Sequence, residues 1–267
     1  GLVGSEMCIR DSIRTMRTWS EMRWTHRRAW SLLRGPLAWW FVPGAAMTLG
    51  LAALGWWGIA IAADRVTDWM LSMWMPEIRS DLLQSVVEWL IWLLLLVVKI
   101  KLTKYVVLVV MGPLLAAVSE AVETQITGVT LPFSWGRWFR DAIRGLRSAM
   151  LLASFEWSLT LVLWAIGLTA PVLSPLTLTM AWMIGAWAYG ASVMDYVWER
   201  EGKDAWSGLK SSLRHSGTAL RVGIPFALWM SVPVLAWTIG PLMGGMGATA
   251  TACVALKGAS SNHGATT

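Results

Sequence analysis

Charge is what this sequence has least of. Only 14% of its 267 residues are Asp, Glu, Lys or Arg, while 56% are apolar. A soluble domain needs more charge than this to cover its surface, so composition argues against one. Cysteine is nearly absent. Cys8 and Cys253 are the two present and form no Cys-x-x-Cys pair, which excludes a disulfide framework. The three histidines, His26, His215 and His263, are scattered and lack metal-ligand spacing. The chain has no phosphate loop, no nucleophile elbow and no zinc-protease helix. Nor does it show a nucleophile beside a base. The expectation is therefore a protein that is not an enzyme, with no catalytic residue, no cofactor and no metal.

What the chain has in quantity is tryptophan, 21 residues, and long runs without charge. Indole rings favour the boundary between lipid and water. Many of these sit in pairs or at the ends of apolar runs: Trp39-Trp40, Trp56-Trp57, Trp89 with Trp92, and Trp135 with Trp138. The formal net charge is +6, but the basic residues flank apolar segments and form no separate basic domain. Anionic lipid headgroups are thus the expected partner, and nucleic acid is not.

In chain order, residues 1–12 resemble translated sequencing-adapter sequence and are expected to be a non-native artefact. Residues 13–257 form one integral membrane domain, and 258–267, small and polar, form a disordered tail. Residues 13–34 predict a basic amphipathic helix in the headgroup layer. Ile13, Met16, Trp19, Trp30 and Leu33 fall on its apolar side, with Arg23, Arg27 and Arg34 projecting there too. Residues 36–63 carry no charge until Asp64 and would extend roughly 40 Å as a helix, enough to cross a bilayer. Pro36 starts this run and Pro43 is expected to kink it. A polar loop, 64–81, leads to a second crossing from Leu82 to Val98. Lys99, Lys101 and Lys104 mark its far end, either snorkelling or lining an anion path.

The organising stretch is 82–128. Its second apolar run stops at Gly112-Pro113, where a kink or a helix restart is expected. Residues 131–147 predict another interfacial helix, with Arg137, Arg140, Arg144 and Arg147 on one face. Two apolar hairpins follow. The first runs 148–170, turns at Pro171 to Pro175 and returns over 176–196. The second runs 222–239, turns at Gly240-Pro241 and returns to Leu256. A charged linker, 198–221, joins them. The fold class is therefore all-α and integral to the membrane. It has two long transmembrane helices, two helical hairpins that span or re-enter, and interfacial amphipathic helices. Of the 22 Lys and Arg, only Arg65 and Arg79 lie in the 64–81 loop, so both termini are expected in the cytoplasm.

Three patches resemble the membrane family of CysZ-type sulfate permeases and etoposide-induced proteins. They are Pro113, Glu120, Glu123 and Thr127-Gly128; Asp195-Tyr196 with Trp206 and the basic residues after it; and Pro233, Pro241 and Gly247-Ala248-Thr249-Ala250. The resemblance spans about residues 30–255. It implies an oligomeric inner-membrane protein of bacteria that admits sulfate by a channel-like route. The alternative is a non-transporting scaffold or regulatory protein of the same family. In the family an anion site involves a Pro-Gly turn and a following arginine pair. Here Arg34-Gly35-Pro36 occupies the turn, and Trp39-Trp40 lies near the place of the arginines. Arg27, Arg28, Arg34 and Gly35 are therefore the candidate substrate-binding residues.

Gly112, Pro113, Glu120, Glu123, Glu156 and Asp195 are the candidates for a pore, a gate or a structural role. Glu120 and Glu123 lie three apart and share a helix face, either as a gate bridged to Arg137, Arg140 or Arg144 or as a solvated face. Glu156 lies inside an apolar helix, where a carboxylate is costly unless paired or wet. Asp195 ends the returning arm of the first hairpin, where a structural salt bridge or a helix end is expected. Gly240 to Gly244 matches a small-residue packing motif and, with Pro241, reads as the tip of the second hairpin.

Overall fold

The computed structural model describes residues 19–50, 110–129, 135–232, 235–236 and 239–261, with residues 53, 65 and 89 singly. All regular structure among the described residues is helical. In chain order the helices are α1 (Trp19–Arg34), α2 (41–50), α3 (110–127), α4 (Trp135–Thr169), α5 (Ser174–Arg200), α6 (Ala205–Arg214), α7 (Ser216–Ser231) and α8 (Gly245–Ser261). The expected loop 64–81, the crossing 82–98 and Lys99, Lys101 and Lys104 lie outside the described residues, as do residues 1–18 and 262–267. Two isolated residues in those stretches, Arg65 and Trp89, are helical.

Helix α1 buries Thr25, Ala29, Leu32 and Leu33 along one side, at helical spacing. That side packs against α8. At the contact Trp30 fills the space beside Gly247, where a Cβ would meet its ring at 2.9 Å. The expected division of α1 is corrected here. Arg23, Arg27 and Arg34 do not share the buried side but are exposed together with Arg28. The reason is that α8 presents small residues that take up the apolar side of α1, and the arginines are left outside.

After α1 the chain turns at Gly35, whose amide donates to Ser31 O at 3.1 Å. A 3-10 turn, Ala38–Trp40, leads into α2. Pro43 lies in the first turn of α2, where a missing amide costs little. Helix α3 is continuous through Gly112 and Pro113 from residue 110, so the expected break is not seen there. It ends at Gly128, which takes φ +73 and donates to Thr124 O at 2.8 Å.

Helix α4 is one helix of 35 residues. It unites the expected interfacial helix with the first arm of the first hairpin, because no proline interrupts 135–169. Residues 205–214 of the expected linker form α6. Pro225 is accommodated inside α7. Residues 258–261, expected in the disordered tail, continue α8. The tip of the second hairpin is a π-helical turn, Gly240–Gly244.

Two helical segments are long and apolar enough to cross a membrane, Ile143–Thr169 and Pro171–Arg200. At 1.5 Å per residue each reaches about 40 Å, beyond the hydrocarbon thickness of about 30 Å. They are the two arms of the first hairpin, joined at the 3-10 turn Pro171–Leu173. Their outer sides expose large apolar groups, including Met150, Leu161, Val162, Ile166, Leu168 and Leu176. At the tip Val172 is 91% exposed. Water would not support so continuous an apolar surface, but lipid does.

Inside the bundle the backbones approach closely. A Cβ on Gly190 of α5 would lie 1.7 Å from Ala219 O of α7, and one on Gly223 of α7 would lie 1.8 Å from Ala186 O of α5. Neither position admits a side chain while the helices hold this separation, as small-residue packing in membranes requires. Helix α8 sits against α1, α5 and α7, and residues 245–256 are all buried.

Candidate functional site

The charged residues collect at the C-terminal end of α5. Asp195 and Glu199 are four apart and therefore face the same way. Arg144 of α4 reaches both. Its two terminal nitrogens donate to the two oxygens of Asp195, each at 3.0 Å, and one of them also donates to Glu199 at 3.2 Å. Its Nε donates to the carbonyl of Lys203 at 2.7 Å. The way α5 ends makes that carbonyl available. Gly202 takes φ +74 and donates to Glu199 O, while Lys203 N donates to Trp198 O at 3.1 Å. These are the paired bonds of a left-handed helix cap, and glycine meets its φ without steric cost. The same turn places the Lys203 ammonium 3.6 Å from the centre of the Trp198 ring. Trp198, fully buried, donates from Nε1 to Ser212 of α6 at 3.1 Å. Gly208 of α6 completes the seat, since a Cβ there would lie 2.6 Å from Asp195 Oδ1.

The next residue along α5, Arg200, anchors a second cluster. It pairs through Nε with Glu123 of α3. Its NH2 donates to Ser119 Oγ at 2.7 Å and lies 3.5 Å from Cys253 Sγ of α8. Ser119 and Cys253 are 2.9 Å apart and wholly buried. Lys257 of α8 lies 3.7 Å from Glu123 and 3.1 Å from Glu201, and Lys203 lies 3.0 Å from Glu201. Charges from α3, α4, α5 and α8 are thereby tied together. Arg144, Arg200, Lys203 and Lys257 stand opposite Asp195, Glu199, Glu123 and Glu201, and Asp141 of α4 lies near Glu199 as a further acid, so the cations do not outnumber the carboxylates. The arginine forks already hold carboxylates. A free anion would reach either guanidinium only by displacing one of them.

The candidates fall in separate places. Asp195 and Glu123 belong to the ion clusters. The partners of Glu123 are Arg200 and Lys257, in place of the expected Arg137, Arg140 or Arg144. Glu120 is half-buried, with no ion pair among the described residues. Gly112 lies under Tyr196, whose hydroxyl would be 3.7 Å from a Cβ there, and Pro113 is exposed. Glu156 is 1% exposed and faces α5, where a Cβ on Gly185 would be 3.5 Å from its Oε1. It is therefore inside the bundle, against α5. Arg27, Arg28 and Arg34 lie on the exposed face of α1, with Arg34 stacked 5.7 Å from the Trp30 ring, and Gly35 forms the turn after them. His26, half-buried on α1, has its pKa lowered by burial. The hydrogen bond to Met22 O opposes this.

Sequence reasoning missed Arg200, Lys257, Ser119 and Cys253 as one group. Arg200 and Glu199 were visible only as members of a charged linker, and Cys253 only as one of two cysteines outside any Cys-x-x-Cys pair. The available signal was the spacing of Asp195 and Glu199, which marks an acidic face one turn long. Nothing in the sequence paired that end of α5 with Ser119 or Cys253, more than 50 residues away.

The family model described as sulfate transporter CysZ/etoposide-induced protein 2.4 matches residues 25–241. The match covers most of the chain, which belongs to that family. No curated protein and no solved structure matches it. The family and the two long apolar helices together make this a membrane protein of a sulfate-transporter family.

Proposed function

We propose that this chain is a passive, channel-like anion permease of the bacterial inner membrane, and that sulfate is its substrate. The observation that carries this reading is the family match over residues 25–241. Passive movement is proposed because the sequence holds no nucleotide-binding motif that would power a pump. In this reading both termini face the cytoplasm and copies of the chain assemble into a homo-oligomer. Arg27, Arg28 and Arg34, beside the Gly35 turn, are the first contact for the anion. Guanidinium forks match the oxygens of a tetrahedral oxyanion. The Glu123–Arg200 pair is the gate, since its opening frees a guanidinium among α3, α5 and α8. Glu156 acts within the bundle as a carboxylate that repels anions from the α4–α5 contact.

The test is radiolabelled sulfate flux into proteoliposomes. The expected result is uptake well above that of empty vesicles and a clear loss of uptake in Arg200→Ala. Uptake equal to that of empty vesicles would remove the reading. Hairpin depth is tested at Ser174, beside the α4–α5 turn. An impermeant thiol reagent added outside labels Ser174→Cys when the hairpin spans. Gly240 is unsuited to the same probe, because a Cβ there would lie 2.6 Å from Leu235 O.

A second reading, a non-transporting scaffold of the same family, is favoured by one observation. Trp39 and Trp40, with ring centres 4.1 Å apart, lie near the place where the resemblance puts arginines, and Trp39 is 58% exposed. A pull-down from native membranes that recovers no stable partner would count against it.

A further inference from the structure

We propose that the exposed face of α1 docks on the anionic phospholipids of the leaflet it meets, through Arg23, Trp24, Arg27 and Arg28. The proposal goes beyond the permease reading and holds whether or not the chain conducts sulfate. It rests on a contrast within the molecule. Arg144, Arg200, Lys203 and Lys257, the cations of the two ion clusters, each meet a carboxylate. Arg23, Arg27 and Arg28 are exposed and meet no carboxylate among the described residues. Arg23 and Arg27 are one turn apart, so they and Arg28 form a compact cationic face. Trp24 stands among them, 58% exposed.

An interfacial helix ordinarily binds a membrane by sinking its apolar side into the lipid. Helix α1 cannot, because Thr25, Ala29, Leu32 and Leu33 are already covered within the bundle. Attachment of this helix therefore falls to the arginines and to one indole. Guanidinium groups match the phosphate diester of a phospholipid, and indole favours the depth just beneath it. The same pairing recurs on α6, where Trp206 is 53% exposed and Lys210 stacks on its ring at 5.4 Å. A face of this kind reads the charge of the leaflet, and salt weakens it.

The experiment is thermal unfolding of the full chain in neutral detergent, with phosphatidylglycerol or phosphatidylcholine added. Phosphatidylglycerol is expected to raise the unfolding midpoint and phosphatidylcholine to leave it nearly unmoved. R23Q/R27Q/R28Q is expected to keep the wild-type midpoint without lipid and to show less than half of the phosphatidylglycerol shift. Sodium sulfate at matched ionic strength is expected to give a much smaller shift than phosphatidylglycerol, because the sulfate contact of the permease reading uses Arg27 and Arg28 without Trp24, which separates a lipid site from a site for free anions alone. An equal shift with phosphatidylcholine, a full shift in the variant, or an equal shift with sulfate overturns the proposal. Should the glutamine variant fail to fold, R23K/R27K/R28K replaces it. The charge then stays while the planar fork is lost, and the shift is expected to shrink measurably. An unchanged shift in that variant counts against the proposal.

Discussion

Helices α4 and α8 are both rich in apolar residues, yet they occupy opposite environments. Helix α4 turns Met150, Leu161, Val162 and Leu168 outward. Helix α8 is buried over 245–256 and carries Gly247, Ala248, Ala250, Ala252 and Ala255 there. The difference lies in the size of the side chains. Small groups let α8 enter the bundle, where backbones run close together, while long branched groups suit a surface that lipid covers. Apolar composition is common to both, although only α4 is long and apolar enough to cross a membrane. Volume decides which of them lies inside.

The largest expected effect probes the close-packed interior. Gly190→Leu places a side chain where even a Cβ would lie 1.7 Å from Ala219 O. It should cost about 3 kcal/mol or more, toward or beyond the upper end of overpacking effects. Loss of the monodisperse peak in detergent is the expected outcome. A normal peak with an unchanged unfolding midpoint would show that α5 and α7 are not this close.

Next comes the point where α4 turns inward. Arg144→Ala leaves Asp195 and Glu199 enclosed without their main cation, and removing one partner of such a pair costs about 3 kcal/mol. Arg144→Ala combined with Asp195→Ala should cost less than the sum of the single changes, measured as unfolding midpoints in one detergent. Strict additivity would deny the pair.

A smaller effect is expected on α1. Burial lowers the His26 pKa below the ordinary 6.5, so the native protein holds its imidazole neutral. The unfolded chain takes up that proton first as the pH falls. Stability from this source is therefore complete above 6.5 and declines below it. His26→Gln should lose this part of the pH dependence, and an identical pH profile in the variant would refute it.

The smallest effect belongs to the outer face. Leu168 is 82% exposed, so Leu168→Ala should shift stability by under about 0.5 kcal/mol. A cost as large as that at Gly190 would mean that another protein surface covers α4.

Much of this was legible in the chain. Charge-free runs, flanking arginines and paired tryptophans indicate a helical membrane protein, and Pro171 to Pro175 marks the hairpin turn. The patches around Pro113, Asp195 and Pro241 carry the family resemblance that the match over 25–241 bears out. Other features were misjudged because their cause is not local. Arg23, Arg27 and Arg34 fall on the apolar side of α1 only if that side extends to Ile13. Packing on α8 narrows it to Thr25, Ala29, Leu32 and Leu33. Pro225 is of a kind that ordinarily breaks a helix, but α7 carries it without interruption. The arginines of 137–147 suggested a separate interfacial helix. They are the first turns of α4, because a helix ends where its backbone is obstructed and not where its side chains become charged.

By itself the sequence determined the class of solvent, the helical period and the places where the chain must turn. Those follow from transfer of side chains between water and lipid and from the backbone limits of proline and glycine, and both act within a few residues. Only the tertiary structure decided which charges meet. Arg144 finds Asp195 across 51 positions of sequence and Arg200 reaches Cys253 across 53. The way α4, α5 and α8 lie together makes these meetings, and that arrangement depends on the volume of side chains brought together from distant parts of the chain.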